Sequence, residues 1–379
     1  MRSLILITLF VLFAYPFAVS PVILAIWARW RGKDAAANVI TPSELPYIAL
    51  IICAFNERRI IRQKIENSLA LEYPREKMAI VVISDGSEDG TAEIVREYDG
   101  AGVKLIDQKI RRGKIANLNE VVPSRSEQIV VLSDANALYD RFALMRLAAR
   151  FGDASVGCVS GKVVLTDTTP ALRGPTEQYY SVEWRTQQDS SLVYSMVGAD
   201  GAMYALRRDL FHPCPTDTLI EDFVIPMRVI SQGQRVVFEP LALGWERGVG
   251  SLREEFQRRV RIAAGVAQGL IRGNAWPVNA PLRFWLIFVS HKLLRWLSPI
   301  TGAIAVLALV AWPHEPVARL MILGLLTVFG LAFIGLVTGW EHRLVRTPFY
   351  FLFLQGAAAV GLAKGLTGRQ TVLWAKSDR

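Results

Sequence analysis

Residues 78–87 read MAIVVISDGS and residues 129–136 read IVVLSDAN, two apolar runs that each stop at an aspartate. Both runs are short, rich in Val and Ile, and apolar at almost every position, which is typical of strands buried on both faces of a parallel sheet. Open α/β sheets bind ligands just outside the carboxyl ends of their strands. We therefore predict that Asp85 and Asp134 lie together at the ligand-binding edge of such a sheet.

The segments around these two runs alternate between strand-like and helix-like patterns. Further strands are predicted at Tyr47–Ala54, Val103–Asp107, Val156–Val164, Met203–Leu206 and Val236–Glu239. Helices are predicted at Arg58–Leu71, Gly90–Tyr98, Ile115–Val122, Pro175–Asp189, Ile220–Gln232 and Ser251–Ile271. This alternation predicts an α/β domain with a mixed, mostly parallel sheet.

Hydrophobic residues make up 52% of the 379 residues, more than a soluble enzyme usually carries. They concentrate in uncharged runs at Leu4–Trp27, Leu297–Trp312, Met321–Trp340 and Pro348–Ala363. The first run is long enough to cross a bilayer and lacks the cleavage site of a signal peptide, so we expect a retained anchor. We predict a transmembrane anchor over residues 1–33, an α/β domain over residues 34–275 and a C-terminal membrane region over residues 276–379.

Basic residues predict how the chain is oriented in the membrane. Arg29, Arg31 and Lys33 directly follow the first apolar run, and Lys and Arg beside a span mark its cytoplasmic side. The α/β domain is therefore predicted to be cytoplasmic, in a multi-pass protein of the inner (plasma) membrane. With the α/β domain in the cytoplasm, three C-terminal spans would leave the C-terminal tail outside the cell, whereas Lys376 and Arg379 favour a cytoplasmic tail. The run at Pro348–Ala363 is short for a span, so it fits either a full span or a re-entrant segment.

Composition also excludes some classes of protein. The three cysteines are widely spaced and none pairs with a histidine at metal-ligand spacing, so neither a disulfide framework nor a zinc site is indicated. The net charge of +9 comes without the basic and aromatic pattern of a nucleic-acid-binding protein. Anionic membrane lipid is the expected partner of this charge, and no partner subunit is identified.

The residues after the predicted strands suggest metal and acid–base chemistry. Asp134 and Asn136 offer a carboxylate and an amide oxygen two positions apart, which suits Mg²⁺ or Mn²⁺. Each aspartate also has a structural interpretation. Asp134 could cap a helix, Asp85 could form an Asx turn, and Asp222 could complement the dipole at the start of a helix.

Taken in order, these segments resemble the family 2 glycosyltransferases, whose nucleotide-sugar-binding α/β domain is called GT-A. The resemblance spans Tyr47 to Gly265. The matching segments are Ala54–Glu57 with Tyr73-Pro74, Asp85–Ser87, Gly113–Asn119, Asp134–Asn136, Gly198–Arg208 and Glu221-Asp222. The resemblance implies an inverting transfer of a sugar from a nucleotide-sugar, with a preference for UDP-sugars, to a glycan or lipid-linked acceptor.

The resemblance also assigns roles to individual residues. It implies Asp222 as the catalytic base, and Asp134 with Asn136 as ligands of the Mg²⁺ or Mn²⁺ ion. The implied donor-binding residues are Asn56, Glu57, Asp85, Lys114 and Asp134. The implied acceptor-binding residues are Gly201, Ala202, Glu221, Arg258 and Arg261.

One departure from the family leaves the product open. Processive members carry Gln-x-x-Arg-Trp near the acceptor, where this chain has Arg258 in place of Gln and Ile262 in place of Trp. Synthesis of a polysaccharide and transfer of a single sugar to a lipid-linked saccharide are both compatible with the sequence, as is an inactive regulatory subunit. The arginines of Ser251–Ile271 fit either an active-site role or binding to lipid headgroups, and Pro281–Trp296 is predicted to be an interfacial helix.

Overall fold

The computed structural model describes residues 1–31, 44–166, 173–338 and 342–372. Lys33, Trp340 and the basic residues Lys376 and Arg379, used above to predict spans and orientation, lie outside the described residues. Within the described ranges, a mixed α/β domain lies between helices that are rich in apolar residues. The predicted fold class is confirmed.

The strands form one mixed sheet. They are β1 (Ile48–Ala54), β2 (Met78–Asp85), β3 (Val103–Gln108), β4 (Ile129–Asp134), β5 (Ala137–Tyr139), β6 (Val156–Thr166), β7 (Met203–Arg207) and β8 (Arg235–Arg247). Their order in the sheet is β3-β2-β1-β4-β7-β6-β8-β5. The pairs β3-β2, β2-β1, β1-β4 and β6-β8 are parallel, and the pairs that involve β7 or β5 are antiparallel.

The parallel half of the sheet brings the predicted aspartates to one edge. β1, β2 and β4 are almost entirely buried, as their apolar sequences require. Ala54 pairs with Ser84, and Cys53 pairs with Asp134, so the carboxyl ends of the three strands are in register. Asp85 and Asp134 therefore lie at the same edge of the sheet, two strands apart, as predicted.

Helices cover the sheet and continue into the membrane region. They are α1 (Arg2–Arg31), α2 (Ile61–Leu69), α3 (Thr91–Arg96), α4 (Lys114–Val121), α5 (Ala143–Ala149), α6 (Arg173–Val193), α7 (Glu221–Ser231), α8 (Leu252–Ile271), α9 (Leu282–Ile287), α10 (Leu294–Trp296), α11 (Ser298–Ala311), α12 (Pro316–Thr338) and α13 (Arg343–Leu366). A π-helical turn, Phe288–Leu293, joins α9 to α10 within the segment predicted as one interfacial helix.

Two parts of the sheet were not predicted. β5 is only three residues long, too short for its pattern to be recognised. β8 was predicted to end at Glu239 but continues to Arg247, because its second half pairs with β5 and with the end of β6.

Among the described residues, three helices are long and apolar enough to cross a membrane, namely α1, α12 and α13 with 30, 23 and 24 residues. The run at Pro348–Ala363, predicted to be short for a span, lies inside the longer α13. The run at Leu297–Trp312 forms the 14-residue α11, which at 1.5 Å per residue is about 21 Å long. α11 meets the preceding α9–α10 segment at a bend of 59°, so the irregular element is this one rather than Pro348–Ala363.

The long helix α13 packs closely against α8 of the α/β domain. A Cβ atom added at Gly361 would lie 2.5 Å from the Cβ of Ala263, and one added at Gly365 would lie 2.6 Å from the Ala264 carbonyl oxygen. Two glycines four residues apart on one helix face allow two helix backbones to approach this closely. The apolar helix α13 and the α/β domain are therefore joined through a direct helix–helix contact.

Candidate active site

Asp85 organises the loop that precedes α4. Its Oδ1 accepts hydrogen bonds from the Arg112 backbone N–H and the Asn117 side-chain amide, each at 2.8 Å, and its Oδ2 accepts one from the Gly113 N–H at 2.8 Å. The residue is 5% exposed, so three charge-assisted hydrogen bonds compensate the burial of its carboxylate. Asp85 thereby fixes the position of Lys114, the first residue of α4.

Asn56 and Glu57 tie the loop after β1 to the loop after β2. The Asn56 N–H donates to Ser87 Oγ at 3.0 Å, and its side-chain oxygen accepts from the Glu88 N–H at 2.9 Å. The Glu57 N–H donates to Thr91 Oγ1 at 2.8 Å. Asn56 has a φ of 56°, a left-handed conformation that asparagine adopts more readily than most residues. The two residues therefore hold together the loops at one side of the carboxyl edge of the sheet.

Lys114 connects two acidic residues from different elements. Its Nζ lies 2.7 Å from Asp134 Oδ1 and 2.5 Å from Glu221 Oε1, and it lies 3.4 Å from the Gly201 carbonyl oxygen. Burial acts to lower the pKa of Lys114, but the charges of the two carboxylates outweigh it and raise this pKa well above its usual value. Lys114 is therefore a permanent cation at the centre of the sheet edge.

The adjacent carboxylates Glu221 and Asp222 have opposite pKa shifts. Burial acts to raise the pKa of Glu221, but the ion pair with Lys114 outweighs it and lowers this pKa. Burial, followed by the negative charge of Glu221, raises the pKa of Asp222 to about 7. Carboxylates whose pKa values are pushed apart in this way commonly have different chemical roles, one staying charged and the other exchanging a proton. Of the two carboxylates, Asp222 is therefore the one whose pKa lies near neutrality.

A glycine makes room for the Asp222 carboxylate. A Cβ atom added at Gly201 would lie 2.9 Å from Asp222 Oδ2, closer than real Cβ contacts. The same loop is held by the Ala199 N–H, which donates to the Asp222 carbonyl oxygen at 2.8 Å. Ala202 is buried, and its carbonyl oxygen accepts a hydrogen bond from the Tyr139 hydroxyl at 2.8 Å. Gly201 therefore lines the site, whereas the Ala202 side chain faces the core.

The predicted metal ligands lie beside this cluster. The Asp134 side chain is 39% exposed, and the Asn136 amide donates to Glu246 Oε1 at 2.9 Å, which leaves the amide oxygen of Asn136 as the possible ligand. No group of three or more acidic, His or Cys side chains with metal-site geometry occurs in the described ranges. Mg²⁺ typically uses one or two carboxylates together with phosphate oxygens of a substrate, so this donor set fits a metal–diphosphate complex.

Two further residues of the site were not identified from the sequence. Asp200 lies in the loop beside Gly201, and burial raises its pKa to about 7. Lys64 is fully buried under the Asp134–Asn136 turn, where its Nζ donates to the Ala137 carbonyl oxygen and lies 3.8 Å from the centre of the Tyr139 ring. Burial lowers the pKa of Lys64 to about 7. Asp200 could have been identified from the sequence, because it lies in the glycine-rich segment that begins at Gly198. Lys64 could not, because a lysine in a helical pattern normally indicates an exposed face.

The arginines of α8 differ in their surroundings. Arg258 Nε lies 2.8 Å from Glu255 Oε2, and its Nη2 donates to the Tyr180 hydroxyl at 3.1 Å. Arg259 Nε lies 2.7 Å from Glu255 Oε1. These two arginines thus face a buried carboxylate inside the protein. Arg261 lies nearer the site, since its charge acts to lower the pKa of both carboxylates that begin α7.

A model of the glycosyltransferase-like family 2 matches residues 46–265, more than half of the chain. The chain belongs to this glycosyltransferase family. The match begins one residue before Tyr47 and ends at Gly265, as the resemblance in the sequence indicated. It therefore covers the sheet, the loops at its carboxyl edge and the first two thirds of α8.

Several family 2 glycosyltransferases are similar to this chain. The poly-β-1,6-N-acetyl-D-glucosamine synthase of Staphylococcus aureus is 27% identical over 239 residues, which cover 62% of this chain and 58% of the relative. The enzyme of the same name from Staphylococcus epidermidis is 24% identical over 273 residues, covering 70% and 66%. The chain thus aligns with less than two thirds of these polysaccharide synthases.

A solved glycosyltransferase structure has a similar fold. The mannosyltransferase PcManGT from Pyrobaculum calidifontis, solved in complex with GDP-Man and Mn²⁺, matches with a TM-score of 0.74 and 23% identity, covering 98% of this chain and 100% of that chain. At this identity the match establishes the GT-A fold. The match extends over the apolar terminal helices as well as the α/β domain.

Proposed function

We propose that the chain is an inverting glycosyltransferase that moves a sugar from a UDP-sugar donor to a growing polysaccharide. The main support is the pair formed by Glu221 and Asp222. Asp222 has a pKa raised to about 7, and a general base is most effective when its pKa lies near the working pH. Glu221 stays charged beside Lys114 and keeps the second carboxylate from ionising easily.

Asp222 would accept the proton of the acceptor hydroxyl. The hydroxyl oxygen then bonds to the anomeric carbon while the bond from that carbon to the diphosphate breaks, and the electron pair leaves with the nucleoside diphosphate. This single displacement inverts the configuration, so an α-linked donor gives a β-linked product. Lys114, held between Asp134 and Glu221, is placed to stabilise negative charge that develops on the leaving diphosphate.

A divalent cation, Mg²⁺ or Mn²⁺, would be held by Asp134 and Asn136 and would neutralise charge on the diphosphate when bound. The Mn²⁺ ion in the structure of the similar mannosyltransferase supports this assignment. Asn56, Glu57 and Asp85 would shape the nucleotide site through the hydrogen bonds of their loops. Because that mannosyltransferase was solved with GDP-Man, GDP-sugars belong among the donors to be tested.

The acceptor would reach the site from the side of α8. Gly201 and Glu221 would contact it beside the base, Arg258 and Arg261 would approach it from α8, and Ala202 would act through its backbone. The apolar helices would hold the catalytic domain at the cytoplasmic face of the inner membrane, with several spans. The similar polysaccharide synthases favour a glycan acceptor.

The second candidate is transfer of one sugar to a lipid-linked saccharide. It is favoured by Ile262, which occupies the position of the tryptophan that processive members carry. It is also favoured by the pairing of Arg258 with Glu255 within the protein. The two functions differ in product length, so sizing the product distinguishes them.

The decisive experiment is nucleoside diphosphate release by the purified protein in detergent with Mn²⁺, over a panel of UDP- and GDP-sugars. Release from one donor is expected to disappear in Asp222→Asn while donor binding stays nearly intact. Asp209→Asn is the matched control, because Asp209 is an exposed aspartate that follows β7 at the end of the strand remote from Gly201. A loss of donor affinity as large as the loss of rate would reject Asp222 as the base.

A further inference from the structure

A group of side chains on α6 and β6, which we call the α6 platform, is used by none of the steps above. It consists of Tyr180, Trp184 and Lys162. The rings of Tyr180 and Trp184 lie one helical turn apart with centroids separated by 5.9 Å, and Lys162 Nζ lies 4.4 Å from the centre of the Trp184 ring. Tyr180 and Trp184 are both only partly buried.

The sheet register places this platform beside the catalytic residues. Leu132 of β4 and Ser160 of β6 both pair with Tyr204 of the intervening β7. Asp134 and Lys162 each lie two residues further along their strands, toward the same edge of the sheet, although β6 has an irregularity between Gly161 and Lys162. Since neighbouring strands are about 4.8 Å apart, two strand spacings separate β4 from β6 by about 10 Å.

The platform lies on the opposite side of Asp134 from the donor-side loops. In the sheet order, β2 with Asp85 is two strands away from β4 in one direction, and β6 with Lys162 is two strands away in the other. The loop that carries Gly201 leads into β7, between β4 and β6. Asp222 contacts that loop, so the base lies between the donor residues and the platform.

A hydrogen bond and a shared helix face connect the platform with Arg261, whose charge acts on the base. The Tyr180 hydroxyl accepts a hydrogen bond from Arg258 at 3.1 Å. Arg258 and Arg261 are three residues apart on α8 and therefore share a face. Burial raises the pKa of Asp222, and the charge of Arg261 opposes that rise, so Arg261 lies within electrostatic range of the base.

The helix that carries the platform is held on the adjacent face by ion pairs and a hydrogen bond. Arg295 donates a hydrogen bond of 2.7 Å to the Tyr179 hydroxyl and forms an ion pair of 3.0 Å with Glu183. Lys292 also pairs with Glu183. These contacts fix α6 against the segment that leads into α11, so the rings of Tyr180 and Trp184 are preorganised and lose little freedom when a ligand binds.

Resting on the proposed function, we propose that Trp184, supported by Tyr180, stacks against the terminal sugar of the acceptor glycan and directs its hydroxyl toward Asp222. The C–H face of a pyranose is apolar, and an aromatic ring offers it a flat surface with a polarised face. Ile262 offers no ring at the corresponding point of α8. Lys162 lies over the Trp184 ring, so a sugar that stacks on that side of the ring must displace its ammonium group.

The test separates acceptor binding from donor chemistry. Trp184→Leu and Trp184→Phe are compared with the wild-type protein in nucleotide release with water as acceptor and in transfer to a soluble β-1,6-linked N-acetylglucosamine tetramer. Phe142→Leu is the matched control. The Phe142 ring lies outside the site, is 40% exposed and, like Trp184, has a cation over its face, with Arg141 Cζ 5.0 Å from the ring centre.

For Trp184→Leu we expect the KM for the tetramer to rise about tenfold, as loss of one aromatic contact predicts, while release with water changes less than twofold. Trp184→Phe should restore most of the affinity, and Phe142→Leu should change neither quantity. An unchanged KM in Trp184→Leu, or an equal loss of release with water, overturns the inference.

The proposed function can fail separately. If the wild-type protein releases nucleotide from no donor, the proposed function is rejected. Calorimetric titration with the tetramer then tests by itself whether the α6 platform binds a glycan. Tighter binding by wild-type protein than by Trp184→Leu supports the platform, and equal binding or no binding by the wild-type protein overturns it.

Discussion

Replacing Gly201 by alanine should displace the proposed base without removing it. The new Cβ atom would lie 2.9 Å from Asp222 Oδ2 and 3.3 Å from Asp222 Cβ. Since an unstrained contact to carbon is about 3.5 Å, the carboxylate must move by about half an ångström. A misplacement of about 1 Å costs on the order of a hundredfold in rate, so we expect kcat for transfer to fall about tenfold.

The assay is nucleoside diphosphate release at saturating donor, with donor affinity measured in parallel. Donor affinity should change little, because Gly201 faces Asp222 rather than the loops around Asp85. Gly100→Ala is the matched control, since a Cβ atom added at Gly100 meets nothing within 4 Å. A wild-type kcat in Gly201→Ala would refute the argument that the position of Asp222 limits the rate.

The remaining predictions concern pH, metal and stability. Because burial raises the pKa of Asp222 to about 7, kcat/KM should rise with pH and level off above about 7. Burial raises the pKa of Asp200 to about 7 as well, so Asp200→Asn is the control. If Asp222 is the base, this variant should keep the wild-type pH profile. Asp134→Ala should weaken donor binding in Mn²⁺ and abolish the effect of EDTA, and full wild-type activity in EDTA would contradict the metal assignment. Burial lowers the pKa of the Lys64 ammonium group from 10.5 to about 7, so the unfolded chain binds the Lys64 proton more tightly than the folded chain does. The free energy of unfolding should therefore increase as pH rises from about 7 to about 10, by up to about 5 kcal/mol. Melting temperatures in detergent should show this rise in the wild-type protein but not in Lys64→Met, and equal slopes would argue against a buried lysine.

The positions of the strand-end aspartates could be predicted because they depend on local pattern. An unbroken apolar run specifies a buried strand, and the residue after it must lie at the sheet edge. Asp85 and Asp134 therefore lie where their sequence context indicated, although their roles remain proposals. The same reasoning identified Glu221 and Asp222 at the start of a helix.

The contacts between distant segments could not be predicted in this way. The approach of Gly201 to Asp222 depends on how two loops pack, and neither loop has a periodic pattern. Lys64 was missed because its burial depends on the Ala137 carbonyl oxygen, which becomes its partner only after β5 has formed. The pairing of Arg258 with Glu255 on one helix was accessible from their spacing, but the burial of that pair under Tyr350 of α13 was not.

If α13 spans a bilayer, the close glycine contact between α8 and α13 would let the surrounding lipid influence the proposed transfer reaction. A helix that spans a bilayer changes its tilt when the hydrocarbon layer becomes thinner or thicker. Because α13 touches the backbone of α8 at Gly361 and Gly365, such a tilt would be transmitted to the helix that carries Arg261. We therefore expect the rate in vesicles to depend on acyl-chain length, and a Gly365→Leu variant, with the two helices forced apart, to lose that dependence. Equal rates of the wild-type protein in short- and long-chain lipids would show that the catalytic domain is mechanically independent of the bilayer.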